Sequence, residues 1–424
     1  MYSLYFHIPF CAHRCAYCDF NTYAGQEALI PAYVDALCKE VEFVGARFPT
    51  NRPSDYSTIG TIFFGGGTPS LLSPSQFDSI FRSIRANFNL TDDAEITIEA
   101  NPGTVSFANL LELRSIGINR ISFGVQSANM EELRMLERTH DFFDVIQAVT
   151  SARKAGFDNL NLDLIYGLPE QTLQTWQTSL QRILDLRPEH ISAYALTLAH
   201  GTPFVRWASK GLLPLPDPDL ADEMYEWADE TLDANGYRQY EISNWAKEKK
   251  DEGGRMKDET FDTTSSFILD NSSFACRHNL QYWRSLPYLA FGAGAHGYAD
   301  GYRYSNVLRI KTYIERLTQY AVRSTQYIFP LSPVTVNHHK QTIQDDMSEF
   351  MMTGLRLTQE GISEAEFADR FGTSLREVYG KEIDELLRLG LVESKTSEFL
   401  ENSEVLRITP RARLLANQVF MRFV

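Results

Sequence analysis

The sequence contains no apolar run long enough to cross a bilayer, and it has no excess of basic residues. A membrane-spanning helix needs about 20 mainly apolar residues, so we expect no membrane span. The 424 residues carry a net charge of -15, whereas phosphate binding needs clustered Lys and Arg, so we expect no nucleic-acid partner. The opening MYSLYFHIPF lacks the basic, apolar and small-residue segments of a signal peptide, which predicts a cytoplasmic protein.

Cysteine is also scarce, with five residues in the whole chain. A small, odd number in a long chain excludes a secreted disulfide framework and suits a reducing compartment. Three of the five nevertheless lie close together in HIPFCAHRCAYCDF, as Cys11, Cys15 and Cys18. They follow a predicted strand, and a loop with the spacing C-x3-C-x2-C can direct three sulfurs at one compact centre.

The three thiols allow more than one interpretation. A structural zinc ion takes four protein ligands, so His7 or His13 would have to complete a Cys3His site. A disulfide would leave the third thiol without a role. A 4Fe–4S cluster held by three thiolates would keep one iron open, and that iron could bind a substrate or cofactor directly.

The first 200 residues alternate between strand and helix patterns. Six predicted strands are each followed by a turn and most by an amphipathic helix, for example the helix that begins at Ser73 and Pro74. Such a series predicts an α/β fold whose parallel strands form a closed or nearly closed partial (β/α)6 barrel. Chemistry in such barrels lies at the carboxyl ends of the strands.

The remaining chain predicts further domains. We expect the barrel over 1–215, a barrel extension over 216–340 with a flexible polar insertion at about 247–273, and a C-terminal domain over 341–424. The C-terminal domain shows short helices, a possible two-strand ribbon and a last helix, a mainly helical pattern that resembles a winged helix. Acidic residues outnumber basic ones there, which favours a structural or docking role over DNA binding.

Polar and glycine residues follow the apolar strands where a barrel would have its site. FFGGGTPS places glycines where the backbone could approach a ligand, or could simply make a tight turn. Glu99, Gln126 and Asp163 lie at the ends of the third, fourth and fifth strands of the series. Each could be an ordinary polar cap, but the three together indicate one functional rim.

Six segments, in this order, carry a family resemblance: YFHIPFCAHRCAYCDF, FFGGGTPS, EITIEANPGT, INRISFGVQS, DLIYGLP and RHNLQYW. Over about residues 2–304, and more loosely beyond, the chain resembles the radical S-adenosylmethionine (SAM) superfamily. The matching branch contains oxygen-independent coproporphyrinogen III dehydrogenase and the HemW-type haem chaperones. The resemblance implies a 4Fe–4S cluster whose open iron binds SAM, and a barrel that binds and shields this cofactor.

The resemblance also assigns residues by position, with no residue in a catalytic role. Cys11, Cys15 and Cys18 match the cluster ligands. The positions that contact cluster-bound SAM are Tyr5, Gly66 and Glu99. The positions that hold a second SAM in the dehydrogenase are Tyr17, Gly67, Thr68, Gln126, Arg138 and Asp163. A second SAM site in this chain stays open.

Two features separate the branches. Phe20 stands where the dehydrogenase has a further cysteine, and the haem chaperones have Phe there. The H-N-x-x-Y-W motif that the chaperones use for haem is present as His278, Asn279, Tyr282 and Trp283. An imidazole can ligate haem iron and aromatic rings can pack on a porphyrin, although a structural histidine beside core aromatics, or a thiolate ligand from Cys276, remains an alternative.

The leading prediction is a haem chaperone that binds haem and transfers it to acceptor proteins, with a cluster, SAM and an electron donor for the cluster. The alternative is an enzyme that oxidatively decarboxylates coproporphyrinogen III to protoporphyrinogen IX. A third interpretation is a zinc-stabilised, non-catalytic interaction protein.

Overall fold

The structure is a computed structural model that describes residues 1–49, 58–249, 273–319, 326–396 and 404–424. The described chain forms two compact units. The first contains residues 1–231 and 287–339, and the second contains 232–249, 273–286 and 340–424, apart from the gaps given above. The three predicted domains stay a prediction. Residues 250–272 of the predicted insertion lie outside the described residues.

The strands are, in chain order, β1 Tyr2–Ile8, β2 Phe10–Cys11, β3 Tyr23–Ala24, β4 Thr58–Gly66, β5 Asn89–Ala100, β6 Arg120–Gln126, β7 Leu160–Tyr166, β8 His190–Ala195, β9 Tyr237–Glu241, β10 Asn244–Lys247, β11 Tyr288–Phe291, β12 His296–Ala299, β13 Tyr302–Asn306, β14 Thr335–Lys340, β15 Ile362–Ser363, β16 Val392–Thr396 and β17 Glu404–Ile408.

The helices are α1 Ile30–Gly45, α2 Pro74–Asn87, α3 Phe107–Ile116, α4 Met130–Met135, α5 Phe142–Lys154, α6 Leu173–Asp185, α7 Pro203–Ser209, α8 Pro218–Ala234, α9 Arg277–Trp283, α10 Ile310–Gln319, α11 Ile343–Gly354, α12 Glu364–Phe371, α13 Leu375–Arg388 and α14 Ala416–Phe420. None of the helices in the described ranges is both long and apolar enough to cross a membrane.

The first unit is built on a mixed sheet with a parallel centre. Strands β1, β4, β5, β6, β7 and β8 lie side by side in that order and pair in parallel, which confirms the predicted series of six. The other neighbour of β1 is β11, followed by β12, β13 and β14, so β1 pairs with β4 and β11 and the barrel is partial. The sequence did not predict these additional strands.

Local sequence signals explain the elements that carry the barrel. Ser73 caps α2 in a capping box with Gln76, and Pro74 begins the helix as predicted. Gly117 ends α3 with φ 119°, a conformation that favours glycine. Inside the sheet, Phe6 stacks between neighbouring strands, with ring centroids 4.9 Å from Phe64 and 5.0 Å from Phe291. These buried aromatic contacts tie β1 to both of its partners.

The second unit contains the helical C-terminal region. Its core is formed by buried apolar side chains, among them Phe350, Phe367 and Ile383. The predicted two-strand ribbon is present as β16 and β17, but β15 also pairs with β17, so the sheet has three antiparallel strands. The predicted last helix is shorter than expected: α14 covers five residues between 3-10 turns, because Pro410 begins a 3-10 segment and not an α-helix.

Candidate functional site

The cysteine loop leaves the sheet directly after β1. Cys11 ends β2, and Cys15 and Cys18 follow on an irregular segment that returns to β3. Phe10 pairs with Tyr23 in parallel, and the Tyr23 N–H donates to the Pro9 carbonyl at 2.7 Å. All three thiols are free. The loop is therefore anchored at both ends, close to the carboxyl end of β1.

Each thiol has a polar side chain nearby. Thr68 Oγ1 lies 3.6 Å from Cys11 Sγ, Arg138 Nη1 lies 3.5 Å from Cys15 Sγ, and Thr22 Oγ1 lies 4.0 Å from Cys18 Sγ. Burial raises the pKa of the Cys11 thiol, the Thr68 hydrogen bond lowers it, and charge on Cys18 and Cys15 raises it. The three sulfurs thus lie near enough to repel one another as thiolates, a repulsion that a bound cationic centre would remove.

Asn101 connects two of these neighbours, and sequence reasoning did not identify it. Its Nδ2 donates to Thr68 Oγ1 at 3.2 Å, while its Oδ1 accepts from Arg138 Nη2 at 2.5 Å. Asn101 follows β5 directly, inside the EITIEANPGT segment, so its position after a strand was the available signal. It links the Cys11 side of the site to the Cys15 side.

The glycine segment at the end of β4 lies against the start of the cysteine loop. A Cβ atom on Gly67 would lie 2.6 Å from the Phe10 carbonyl oxygen and 2.8 Å from that of Ile8. Gly66 has φ 108°, and a Cβ there would meet the His7 ring at 2.5 Å. Only glycine permits this approach. The Gly67 N–H donates to the Ile8 carbonyl at 2.8 Å, which joins the glycine segment to the chain that leads into the cysteine loop.

Glu99 and Tyr5 face the same end of the sheet. Glu99 Oε2 accepts from the Gly66 N–H at 3.0 Å. Burial, with a contribution from charge on Asp163, raises the pKa of Glu99 to about 8, so this carboxyl holds a proton at neutral pH when no ligand is bound. The Tyr5 hydroxyl bonds His7 Nδ1 at 3.0 Å, and His7 Nε2 bonds the Asn21 carbonyl at 3.0 Å.

Gln126 and Arg138 meet above β6. Gln126 ends the strand with φ 68°, a left-handed conformation that is costly for a residue other than glycine and that occurs often at functional sites. A Cβ atom on Gly124 would lie 3.0 Å from Gln126 Nε2 and 3.3 Å from Arg138 Nη2. Tyr17 lies beside Arg138, whose positive charge lowers the Tyr17 pKa against the larger raising effect of burial.

Asp163 does not end its strand, because β7 continues to Tyr166. It lies opposite Gly124 of β6 and accepts from Ser122 Oγ at 2.9 Å and from Asn161 Nδ2 at 2.7 Å. Burial raises its pKa, and these hydrogen bonds oppose the shift. The carboxyl group therefore lies deeper along the sheet than the sequence pattern indicated.

The H-N-x-x-Y-W segment forms α9 of the second unit. His278 and Tyr282 are one helical turn apart, and His278 Nε2 lies 2.8 Å from the Tyr282 hydroxyl. The His278 side chain is buried, as is Cys276 at the N-cap of the helix. Asn279 is half-buried. The structure thus brings His278 and Tyr282 into contact.

Trp283, the last residue of α9, has an unusual environment. The Arg356 guanidinium lies 4.2 Å from the centroid of its ring system, within cation–π distance. Its indole Nε1 is buried and has no hydrogen-bond partner among the described residues. A buried indole N–H normally has a partner, so this group is available to a ligand that can accept a hydrogen bond.

The two histidines that could complete a Cys3His zinc site have other neighbours in the structure. Within the described ranges, no three His, Cys, Asp or Glu side chains are grouped closely enough to hold one metal ion. Zinc ligands lie about 2.0–2.3 Å from a single centre. One ring nitrogen of His7 bonds the Tyr5 hydroxyl of β1 and the other bonds the Asn21 carbonyl, while His13 lies 3.5 Å from Glu137 at the surface. Three free cysteine thiols on one loop are the ligand type of an iron–sulfur cluster.

The fold and segments match known proteins. The radical SAM superfamily matches residues 5–183, and the HemN C-terminal domain matches residues 342–415. Haem chaperone HemW of Bacillus subtilis is 35% identical over 100% of this chain and 99% of its own length. HemW of Haemophilus influenzae is 33% identical over 100% and 97%.

A eukaryotic relative and a solved structure extend the comparison. Radical S-adenosyl methionine domain-containing protein 1, mitochondrial, of Danio rerio is 33% identical over 89% of this chain and 78% of its own. Coproporphyrinogen III oxidase HemN of Escherichia coli superposes with a TM-score of 0.76 at 23% identity, over 99% of this chain and 89% of HemN. This last match shows a shared fold. The similarity to HemW over its whole length shows that the chain belongs to the HemW family of radical SAM proteins.

Proposed function

We propose that this chain is a haem chaperone that binds haem and transfers it to acceptor proteins, with a 4Fe–4S cluster and SAM bound in the barrel. The observation that carries the proposal is the 35% identity to a haem chaperone over the whole chain. The free thiols of the cysteine loop and the His278–Tyr282 pair supply suitable ligands for the two iron groups.

In this proposal Cys11, Cys15 and Cys18 would hold the cluster and leave its fourth iron open for SAM. A cluster of this kind supplies one electron for cleavage of the SAM sulfonium when both are bound. Arg138 compensates negative charge beside Cys15. Glu99 would lose its proton as the SAM amino group binds, because a cation at that position lowers the raised pKa of the carboxyl.

The other proposed SAM contacts lie along the parallel sheet, with Asp163 deeper than the strand ends. Tyr5, Gly66, Gly67 and Thr68 border the cysteine loop through the contacts described above. Tyr17, Gln126, Arg138 and Asp163 are the proposed contacts of a second SAM. A chain that binds one SAM would use these residues to position it and to exclude water.

For haem, His278 is the proposed axial ligand. Its Nε2 is engaged with Tyr282, so iron binding at this atom requires the tyrosine hydroxyl to move away. Asn279, Tyr282 and Trp283 would then contact the porphyrin, and the buried Trp283 N–H would gain an acceptor. Cys276 is buried at the start of the same helix and is the competing ligand, as a thiolate.

The proposal is tested by adding haem to the purified full-length chain under anaerobic conditions. We expect a Soret band that saturates at micromolar haem and weakens in a His278→Ala variant. His200→Ala, which changes an exposed histidine elsewhere, is the matched control. Absence of haem binding by the wild-type chain would contradict the proposal.

Coproporphyrinogen III decarboxylation is the second candidate, because HemN has the same fold. Phe20, which is 62% exposed, stands at the position where the dehydrogenase branch has cysteine. The phenylalanine at this position favours the chaperone. Anaerobic incubation with SAM, a reductant and coproporphyrinogen III decides between the two, since formation of protoporphyrinogen IX would overturn the preference for the chaperone.

The proposal includes partners and a compartment. Haem transfer requires acceptor proteins, and reduction of the cluster requires an electron donor. A reducing compartment such as the cytoplasm suits a chain whose five cysteines are all free.

A further inference from the structure

Trp283 and Arg356 form a cation–π pair in the second unit, and each carries a buried N–H group without an acceptor. The Arg356 guanidinium carbon lies 4.2 Å from the centroid of the Trp283 ring system. Trp283 Nε1 and Arg356 Nε are both buried, and neither has a hydrogen-bond partner among the described residues. Buried donors in folded proteins nearly always have a partner. Two such donors side by side therefore indicate an acceptor that the chain does not supply itself.

Arg356 is restrained from its other side by β9 of the same unit. Its Nη2 donates to Glu241 Oε2 at 2.9 Å, and Glu241 is fully buried. The chain that follows is anchored as well, because the Thr358 N–H donates to the Tyr240 carbonyl at 3.1 Å and the Thr358 hydroxyl donates to the Gln239 carbonyl at 2.8 Å. These contacts restrain the guanidinium before a ligand binds, which lowers the entropy cost of recognition.

The ion pair with Glu241 leaves part of the guanidinium unused. Glu241 Oε1 accepts from the Ser243 N–H at 2.8 Å and from Asn244 Nδ2, so both oxygens of this carboxylate have donors without Arg356 Nε. An arginine side chain has five N–H donors in a planar fork. The side chains of Arg356 and Trp283 are half-buried, so a small change of side-chain torsion exposes their N–H groups to a ligand.

The two N–H groups lie close enough together to bind one carboxylate. Nε is bonded directly to the guanidinium carbon of Arg356, and Nε1 belongs to the Trp283 ring system over which that carbon lies. A carboxylate has two acceptor oxygens and can accept from two donors at once. Its hydrogen bonds to a guanidinium are charge-assisted and stronger than those between neutral groups. The chemistry of the pair therefore favours an anionic ligand group.

The position of Trp283 connects this pair to the proposed haem site. Trp283 ends α9, the helix that begins with Arg277 and His278. The rise of an α-helix is about 1.5 Å per residue, so Trp283 lies about 7–8 Å along the axis from His278. This separation suits a ligand whose iron lies at the centre of a ring and whose carboxylates lie at its rim.

We propose that Trp283 Nε1 and Arg356 Nε together bind a propionate carboxylate of haem. The inference rests on the proposed haem binding and deepens it, because it names the group that the site recognises. It also adds Arg356, which lies outside the H-N-x-x-Y-W segment, as a residue that selects haem with free propionates.

Two ligands that differ only in their carboxylates test the inference on the full-length chain. Haem and haem dimethyl ester are titrated into the wild type under the same anaerobic conditions. We expect the ester to bind about tenfold more weakly, because its neutral groups lose the charge-assisted hydrogen bonds. His278→Ala should change the Soret maximum with both ligands, whereas loss of a carboxylate contact should leave the maximum unchanged.

The two donors are then removed one at a time. Trp283→Phe keeps an aromatic ring but has no N–H, and Arg356→Lys keeps the positive charge but has no Nε donor. Each should weaken haem binding about tenfold and leave binding of the ester unchanged. The matched controls are Trp207→Phe, at a half-buried tryptophan of α7, and Arg153→Lys, at an arginine paired with Glu189. Both controls should bind the two ligands as the wild type does.

A double variant tests whether one carboxylate accepts from both donors. Trp283→Phe combined with Arg356→Lys should lose less affinity for haem than the product of the two single losses, because both changes remove contacts to the same group. A loss equal to that product contradicts a shared carboxylate. Melting temperatures show whether each variant is folded.

The outcomes separate this inference from the proposed function. If the wild type binds haem and the ester with equal affinity, or if neither variant weakens haem binding, the carboxylate contact is overturned while the chaperone proposal stands. The same holds if the variants weaken both ligands equally. A selective loss in only one of the two variants overturns the shared contact. If the wild type binds no haem, the inference and the chaperone proposal are both overturned.

Discussion

Arg138 Nη1 lies 3.5 Å from Cys15 Sγ, while its Nη2 donates to Asn101 Oδ1 and to the Gly124 carbonyl, both at 2.5 Å. One guanidinium thus joins the cysteine loop to the carboxyl ends of β5 and β6. Asn101 in turn donates to Thr68, which contacts Cys11. Two of the three proposed cluster ligands are therefore connected through a single hydrogen-bonded chain.

Removing the Arg138 charge should make the cluster less stable. Hydrogen bonds to charged groups contribute about 1.5–3 kcal/mol, so Arg138→Met should lose iron to a chelator about tenfold faster than the wild type. Arg138→Lys keeps the charge but loses the two-nitrogen guanidinium. Its rate of iron loss should lie between those of the wild type and Arg138→Met. Arg134→Met changes an exposed arginine nearby and should behave as the wild type. Equal rates of iron loss in all four proteins would contradict this role.

The proposed ligands can be identified by alkylation of the native chain. Without a cluster, iodoacetamide should modify the half-buried Cys15 before the buried Cys276. After reconstitution with iron and sulfide, Cys11, Cys15 and Cys18 should all become protected. Cys38 should react equally slowly before and after, because burial raises its pKa to about 11 and it lies on α1. Peptide mass spectrometry reads each site, and protection of Cys38 in place of one loop cysteine would refute the ligand set.

The raised pKa of Glu99 predicts how stability depends on pH. The folded carboxyl has a pKa of about 8 against 4.5 for an unperturbed glutamate, so the folded chain holds a proton that the unfolded chain has released. The contribution of Glu99 to the free energy of unfolding is complete below pH 4.5 and is lost as the pH rises through 8. Glu99→Gln removes this dependence.

Calorimetry of the cluster-free chain measures the effect. From pH 5 to pH 8, the wild type should lose about 2 kcal/mol relative to Glu99→Gln, a figure reduced from the full shift because the side chain is only half-buried. Glu112→Gln changes an exposed glutamate and should follow the wild type. Identical pH profiles for wild type and Glu99→Gln would show that this carboxyl ionises normally.

We predict that Glu40 of α1 stabilises the packing of this helix against the part of the first unit that follows β11. Its carboxylate accepts from the Gly292 N–H at 2.8 Å, Asn306 Nδ2 at 2.8 Å, Tyr313 Oη at 2.6 Å and Ser332 Oγ at 3.0 Å. Removing it leaves buried donors without an acceptor, so Glu40→Ala should cost about 3 kcal/mol or more.

Hydrogen exchange locates the same effect. The Gly292 amide should lose protection in Glu40→Ala, whereas Glu42→Ala, at an exposed position on the same helix, should leave it protected. A small stability change together with unchanged exchange at Gly292 would mean that the network is not important for the fold.

Much of the first unit could be predicted from the sequence, because the signals there are local. Alternating apolar strands and capped helices identified the six parallel strands, and Ser73 and Gly117 marked helix ends that the structure contains. The cysteine spacing and the glycines after β4 indicated the site for the same reason: both depend on neighbours in sequence.

What the sequence missed depends on contacts between distant residues. Strands β11 to β14 are short, and glycines interrupt GAGAHGY, so no periodic pattern marks them. Asn101 gains its role from Thr68 and Arg138, each more than thirty positions away in the chain. Asp163 lies in the middle of the predicted strand NLNLDLIYG, which β7 matches, so the prediction that it ends the strand was wrong although the strand itself was identified.

The central claim is that one chain carries both a radical SAM cluster and haem. It is tested most directly by analysing iron, sulfide, zinc and haem in a single anaerobically purified and haem-loaded sample. We expect about four non-haem irons and about four sulfides per chain, together with bound haem and no stoichiometric zinc. Zinc without iron and sulfide, or a complete cluster in a chain that binds no haem, would contradict it.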